Sequence, residues 1–251
     1  MEKYVKGLIM SISMFSRIPV PNFKWDDNST HLIIPLFPLV GLFHGLLLYI
    51  FLKLLLFCEI HILLISIFLA LFFYLITGFL HLDGFMDTSD AILSNRPLED
   101  KKRILKDSNV GAFSVISVII LFIITLASSY IIISENKNIS MLITIPVLSR
   151  CLVSLSFLTL KPMEESGYSK VFLKKSSSPE RFFVLSIFAL AVTVSQLIYP
   201  NYSLIIVGGM ILIFAAVIRN LYKQFLGISG DLCGYTLTVT ECTGFLFLCI
   251  I

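Results

Sequence analysis

Charge is scarce in this sequence. Asp, Glu, Lys and Arg make up 14% of its 251 residues, where a soluble domain carries about 25%. That is too little to cover a water-facing surface, so a soluble globule is excluded. Disorder and coiled coil, which need polar or charged composition, are excluded with it. Metal-type cysteine spacing is also lacking. The five cysteines (Cys58, Cys151, Cys233, Cys242 and Cys249) form no C-x-x-C pair, and four lie in or beside apolar runs. They read as small packing residues. A net charge of +3 is too small to argue for a nucleic-acid partner. No repeat, low-complexity tract or linker divides the chain, which reads as a single integral membrane domain over residues 1–251. The apolar stretch before Arg17 is short and no small-residue cleavage site follows it. The first fifteen residues therefore read as a retained, partly amphipathic helix and not as a cleaved signal.

What the sequence has in abundance is apolar length. Hydrophobic residues make up 57%, 22 residues are Phe, and the mean hydropathy is +0.94. A membrane-spanning helix needs about 20 predominantly apolar residues. Residues 28–52, 60–82 and 108–134 are free of Asp, Glu, Lys and Arg, and so is 182–218, which is long enough for two passes with a turn at Tyr199-Pro200-Asn201. Residues 139–160 and 232–251 each tolerate one charge, Arg150 and Glu241. The expected architecture is all-α, a polytopic membrane bundle of about seven transmembrane helices, with 60–82 and 108–134 as the clearest spans.

Basic residues test that count independently. Lys3, Lys6, Arg17 and Lys24, then Arg96, Lys101, Lys102, Arg103 and Lys106, fall on one predicted side. Lys161, Lys170, Lys174, Lys175 and Arg181, then Arg219 and Lys223, join them. The other side holds Lys53 and Lys137 alone. By the positive-inside rule the N-terminus is cytoplasmic, together with loops at about 83–107, 161–181 and 219–231. The first two of these loops have the room for extramembrane chemistry.

The first of them opens with His81-Leu82-Asp83-Gly84-Phe85-Met86-Asp87-Thr88-Ser89-Asp90, at the expected cytoplasmic end of the second span. At about 100° per residue, Asp83, Asp87 and Asp90 fall within roughly 60° on one helix face. Three carboxylates so placed repel one another unless a cation lies among them. Oxygen-only ligation suits Mg²⁺, Mn²⁺ or Ca²⁺, of which Mg²⁺ commonly shares its site with substrate phosphates. Gly84 would let a phosphate or a neighbouring helix approach closely. The structural alternative is an acidic, solvated loop in which Asp90 or Thr88 caps a helix. His81 is open between a general base, a phosphate donor and an interfacial residue bonded to a carbonyl.

Three further segments stand out. Lys106-Asp107-Ser108-Asn109-Val110-Gly111 opens the third span, either as an anion site built on helix amides or as an ordinary capped start. Arg150 lies deep in a span and needs an acid or an anionic ligand, with Glu241 its natural intramembrane partner; structural pairing and substrate binding both fit. Gly227-Ile228-Ser229-Gly230-Asp231-Leu232-Cys233-Gly234 reads as a tight turn presenting Asp231. Together these describe an acidic metal cluster at a membrane rim with basic and glycine-rich anion contacts, a site for phosphate esters or pyrophosphates.

Several of these pieces resemble the cobalamin synthase family, the adenosylcobinamide-GDP ribazoletransferases. The likeness runs through Phe15-Ser16-Arg17-Ile18-Pro19-Val20-Pro21, Phe37-Pro38-Leu39-Val40-Gly41, Thr77-Gly78-Phe79-Leu80-His81-Leu82-Asp83-Gly84 and Asp87-Thr88-Ser89-Asp90. Lys106-Asp107-Ser108, Gly111, Ser149-Arg150, Gly230-Asp231 and Gly234 complete it. The resemblance implies a Mg²⁺-dependent phosphoryl transfer in the cytoplasmic membrane. In it, α-ribazole or its 5′-phosphate is joined to adenosylcobinamide-GDP, giving adenosylcobalamin or its phosphate, and GMP. It implies Asp83, Asp87 and Asp90 as metal ligands, with Asp90 the expected base and His81 in the catalytic set. Arg17, Lys106 and Arg150 become phosphate contacts, Asp231 a metal or ribose contact, and Asp107 and Glu241 members of the same substrate-binding set. Implied partners are the bilayer, the two substrates, and further copies or other cobamide-assembly enzymes. Three positions depart from the family pattern: Asn109 where a basic residue is common, Ser114 where glycine is frequent, and Thr238 where a glutamate often sits.

Two rivals are weaker. A CDP-alcohol phosphotransferase of phospholipid synthesis wants Ala-Arg where Met86-Asp87 stands. A cation-coupled transporter would carry its charges near the midplane on repeated halves, and no halves repeat.

Overall fold

The computed structural model describes residues 2–163 and 178–251. Lys170, Lys174 and Lys175, and with them most of the predicted loop at 161–181, lie outside the described residues. Among the described residues ten α-helices run in order: α1 Glu2–Phe15, α2 Ile33–Phe57 (entered through a 3₁₀ turn at Thr30–Leu32), α3 Ile62–Ile76, α4 Leu80–Leu93, α5 Leu98–Ile104, α6 Ala112–Ser134, α7 Met141–Thr159, α8 Ser178–Ile198, α9 Ser203–Phe225 and α10 Gly230–Ile250. No strand occurs among the described residues, and one isolated bridge joins Pro162 to Ile228. Among the described residues six helical segments are long and apolar enough to cross a membrane, Thr30–Phe57, Ala112–Ser134, Met141–Thr159, Ser178–Ile198, Ser203–Phe225 and Gly230–Ile250, with a seventh if the bent pair α3–α4 is one span. This is a multi-pass membrane bundle, and five of its spans fall within a few residues of the apolar runs that predict them.

The predicted second span, 60–82, is not one helix. α3 stops at Ile76, and α4 leaves at 88° to it after a three-residue break. Gly78 and Phe79 both take left-handed backbone, with φ of +61° and +65°, which no α-helix accommodates. The N-terminal segment fastens this corner. The Arg17 N–H donates to the Ile76 carbonyl at 2.7 Å, and the Arg17 side chain lies where a Cβ on Gly78 would stand, 2.1 Å from its Nε. At about 1.5 Å per residue, α3 rises roughly 22 Å, short of the ~30 Å hydrocarbon core. After the corner, α4 turns away to pack on α10 and α6. Within the predicted inter-span segment 83–107, most residues belong to α4 and the short α5.

α7 is the central helix, 83% buried over its most apolar stretch. α2 packs directly on its backbone. A Cβ on Gly41 would fall 2.5 Å from the Pro146 carbonyl oxygen, and one on Gly45 2.6 Å from that of Ile143. Glycines four apart give this close approach, as in membrane helix pairs generally. α6 shows which solvent surrounds the bundle. Ser114, Thr125, Ser128 and Ser129 point inward, while Ile116, Ile119, Ile120 and Ile123 are exposed. That is the reverse of a water-soluble amphipathic helix and suits lipid outside.

Contacts define two ends. Residues 16–17, the 77–79 corner, α4, α5, the start of α6 and the α9–α10 turn gather at one, which we call the rim. Lys101 Nζ ties α5 to Gln224 at 2.6 Å. A small apolar cluster of Ala91, Leu105, Met163, Leu221, Phe225 and Leu232 seals α4 and α5 against α9 and α10. The turns at 58–61, 135–140 and 199–202 make the opposite end, where Asn138 Nδ2 donates to the Ile198 carbonyl.

Candidate active site

α4 carries its charges on one side and its packing on the other. Asp83 is exposed and Asp87 and Asp90 partly so, while His81, Gly84, Phe85, Thr88 and Ser89 are buried. The predicted i, i+4, i+7 face is therefore present, on α4 beyond the corner. Gly84 serves a neighbouring helix: a Cβ there would sit 2.9 Å from Asp231 Cα on α10. One turn further along α10, Gly234 faces the His81 backbone at 3.3 Å. Phe85 stacks on Tyr235 at 5.1 Å and 9°. Thr238, the departure from the expected glutamate, donates its hydroxyl to the His81 carbonyl at 3.3 Å, and so holds the start of α4. Asp231 is not on a tight turn. It stands in the first turn of α10, whose N-cap Ser229 accepts from the Leu232 N–H.

This crossing brings Asp231 to the acidic face of α4. The Asp87 carboxyl is pushed up to about 6, by its partial burial first and then by the charges of Asp83, Asp231 and Asp90. Among the described residues, no basic side chain lies in ion-pair range of Asp83, Asp87 or Asp231. Nor do three carboxylate, histidine or thiol groups converge into a complete ligand set by themselves. An acidic, all-oxygen donor set, unbalanced and incomplete, fits a hard divalent cation that takes one or two carboxylates and finishes its shell with substrate phosphate and water. Arg17 and Asp83 line a shared cleft of about 410 Å³ beside the 77–79 corner.

Asp90 is engaged elsewhere. Its Oδ2 accepts from the Gly111 N–H at 2.8 Å and its Oδ1 from the Ser114 N–H at 2.9 Å. The helix-start amides that the sequence offers as an anion site are thus occupied from within, by a carboxylate twenty-one residues upstream. Gly111 is required there, since a Cβ would fall 2.4 Å from Asp90 Oδ1. Ser114 adds its own hydroxyl bond to the Gly111 carbonyl. Asp107 and Lys106 stand on the exposed approach to α6. Asp107 accepts from the backbone and side chain of Asn109, and these bonds, the backbone one first, hold its carboxyl below the usual carboxylate range.

Arg150 and Glu241 form an ion pair inside the bundle, with side-chain exposures of 0% and 9%. Ser149 Oγ donates to Glu241 at 3.1 Å, and Arg150 Nη1 also donates to the Pro146 carbonyl at 3.0 Å. The pairing that the sequence allowed is present. Sequence reasoning missed two residues beside it. His44 Nδ1 lies 3.5 Å from Arg150 Nη2, and its Nε2 bonds Ser16 Oγ at 3.0 Å. The signal was available: His44 is an ionisable residue in an apolar span, set between the two packing glycines of α2.

His81 sits roughly 160° round α4 from Asp83, away from the carboxylates. It lines a second cavity with Phe15, Phe37 and Asp231. The aromatic walls of that cavity come from α1, α2 and α7; Phe15 and Phe37 each open a segment of the family resemblance, but the sequence did not place them in one cavity.

Comparison with known proteins agrees with this architecture over its whole length. The family model for cobalamin-5-phosphate synthase matches residues 7–249. An adenosylcobinamide-GDP ribazoletransferase of Clostridium botulinum is 37% identical over 250 residues, covering 100% of this chain and 99% of its own. One of Clostridium perfringens is 37% identical over 251 residues, with both chains fully covered. A third, of Clostridioides difficile, is 32% identical and covers 94% of each chain. No solved structure matches. With a family model spanning nearly every residue and full-length relatives above 30% identity, the chain belongs to the cobalamin-5-phosphate synthase family.

Proposed function

We propose that this protein is an adenosylcobinamide-GDP ribazoletransferase of the cell membrane, with its carboxylate rim facing the cytoplasm. One observation carries this beyond family membership: Asp83 and Asp87 on α4 meet Asp231 on α10 at a glycine crossing, with no basic residue to balance them among the described residues.

In the reaction, a hydroxyl of α-ribazole or its 5′-phosphate attacks the phosphorus attached to cobinamide. The new P–O bond forms, the pyrophosphate P–O bond breaks, and GMP leaves with that electron pair. Asp231 orients the hydroxyl and takes its proton. Asp83 and Asp87, one turn apart on one face, hold a Mg²⁺ ion. When bound, that ion neutralises charge on the transferring phosphoryl group. Arg17, anchored over Gly78 in the cleft it shares with Asp83, contacts the donor's phosphates. Asp90 sets the stance of α4 by gripping the start of α6. Arg150 and Glu241 support the bundle and are not assigned to substrate.

The test is turnover by the purified chain in lipid nanodiscs, given adenosylcobinamide-GDP, α-ribazole and Mg²⁺, with products followed by chromatography. Cobamide and GMP in equal amounts are expected. No product from folded protein, or product only with CDP-alcohol substrates, overturns the proposal. Orientation is checked separately. Cys58 is the one exposed cysteine and lies at the end opposite the rim, so a membrane-impermeant maleimide should label it from outside intact cells.

A further inference from the structure

The cavity beside the carboxylates is built unlike them. Its volume is about 290 Å³, and its walls are Phe15, Phe37, His81, Val153, Phe157 and Leu237. Three of the rings form one aromatic corner: Phe15 and Phe37 lie 4.3 Å apart, with His81 5.8 Å from Phe37 and 6.2 Å from Phe15. His81 is only 9% exposed, and its Nε2 has no hydrogen-bond partner among the described residues. A buried ring nitrogen left unmet costs free energy, so an occupant that satisfies it is favoured. At its edge the cavity carries Gly230 and Asp231, the same aspartate that reaches the acidic face of α4.

Size, walls and edge each narrow the occupant. Pockets for small ligands run from roughly 300 Å³ upward, so this one holds a nucleoside-sized group and not a corrinoid macrocycle. An acyl chain would fill the aromatic corner but leave the His81 nitrogen unmet and place hydrocarbon against Asp231. A phosphate would have to shed water among phenylalanines. A flat nitrogen heterocycle on a sugar answers all three features. Its faces meet the rings, a ring nitrogen meets His81 Nε2, and the sugar hydroxyls reach Asp231.

We infer that this cavity is the acceptor-nucleoside subsite, taking the heteroaromatic base of α-ribazole against Phe15, Phe37 and His81 and leading its sugar past Asp231 to the carboxylate rim. The assignment rests on the transferase reading for the identity of the nucleoside. It makes His81 a base-binding residue, not a proton carrier.

Two variants test it on the purified full chain in nanodiscs. Val153→Phe fills the cavity from α7, and His81→Phe keeps a ring while removing the nitrogen. Both are expected to raise the KM for α-ribazole at least tenfold and to leave the KM for adenosylcobinamide-GDP within about twofold. Direct titration with α-ribazole alone should show the same weakening without turnover. If Val153→Phe does not fold, His81→Phe carries the test. An unchanged KM and unchanged α-ribazole binding in folded His81→Phe would overturn the assignment, as would equal losses for both substrates. The two proposals fail separately. A wild-type protein that turns nothing over yet binds α-ribazole, and binds it tenfold more weakly in both variants, would sink the transferase reading and uphold the subsite.

Discussion

Two charged regions of this bundle follow opposite rules. Arg150 and Glu241 lie in its interior, opposite in sign, in contact, and surrounded by hydroxyl and carbonyl partners. Asp83, Asp87 and Asp231 lie at the rim, alike in sign, with no cation to balance them among the described residues. The first arrangement pairs a guanidinium with a carboxylate and ties α7 to α10, leaving Arg150 Nε without a partner among the described residues. The second gathers like charges, whose mutual repulsion costs stability. The division we propose is that the paired charges hold the bundle and the unpaired ones serve the reaction.

The sharpest way to break this contrast is to open the closed pair. Glu241→Gln leaves the Arg150 guanidinium buried without its counter-charge and should cost about 3–5 kcal/mol, read as a large fall in Tm. Protein that remains folded should still respond to Mg²⁺ as the wild type does. Asp87→Asn should do the reverse. It removes one of several mutually repelling acids, so Tm should hold or rise, while turnover falls by about 100-fold or more. Asp90→Ala separates the two senses of an acidic residue on one helix face. It strips the cap from α6 and should cost about 1–2 kcal/mol, with a smaller loss of turnover than at Asp87.

The smallest expected effect is a pH dependence. Asp87 must be ionised to hold a cation, and its carboxyl is pushed up to about 6. Protons therefore compete with Mg²⁺ below that point. Between pH 7.5 and 5.5 the half-saturating Mg²⁺ concentration should rise about fourfold, and Asp87→Asn should flatten the trend in whatever turnover it retains.

Much of this was legible in the sequence because the bilayer imposes a length code. Long runs with at most one charge mark the spans of α2 and α6 to α10 without any tertiary information. The helical register of Asp83, Asp87 and Asp90 was legible for the same reason, since periodicity is local. The break at Gly78-Phe79 was hidden because hydropathy runs unbroken from Ile60 to Leu82, and a corner made of two left-handed residues changes no side chain's polarity. The division of labour within the acidic face was hidden too. What separates Asp90 from Asp87 is Gly111 and Ser114, more than twenty residues away, and only folding shows that α6 claims both oxygens of one and none of the other. The aromatic cavity draws its walls from five helices, so no local pattern marks it among 22 phenylalanines.

The most direct test of the central claim is a Mg²⁺ titration of turnover, run in parallel on wild-type protein, Asp87→Asn and Glu241→Gln in nanodiscs, with the folded fraction measured for each. The expected result is saturable Mg²⁺ dependence in the wild type, the same half-saturation in the folded fraction of Glu241→Gln, and loss of Mg²⁺-dependent turnover in well-folded Asp87→Asn. Wild-type half-saturation and turnover in Asp87→Asn, or a shifted Mg²⁺ response in folded Glu241→Gln, would contradict the division between an open rim and a closed core.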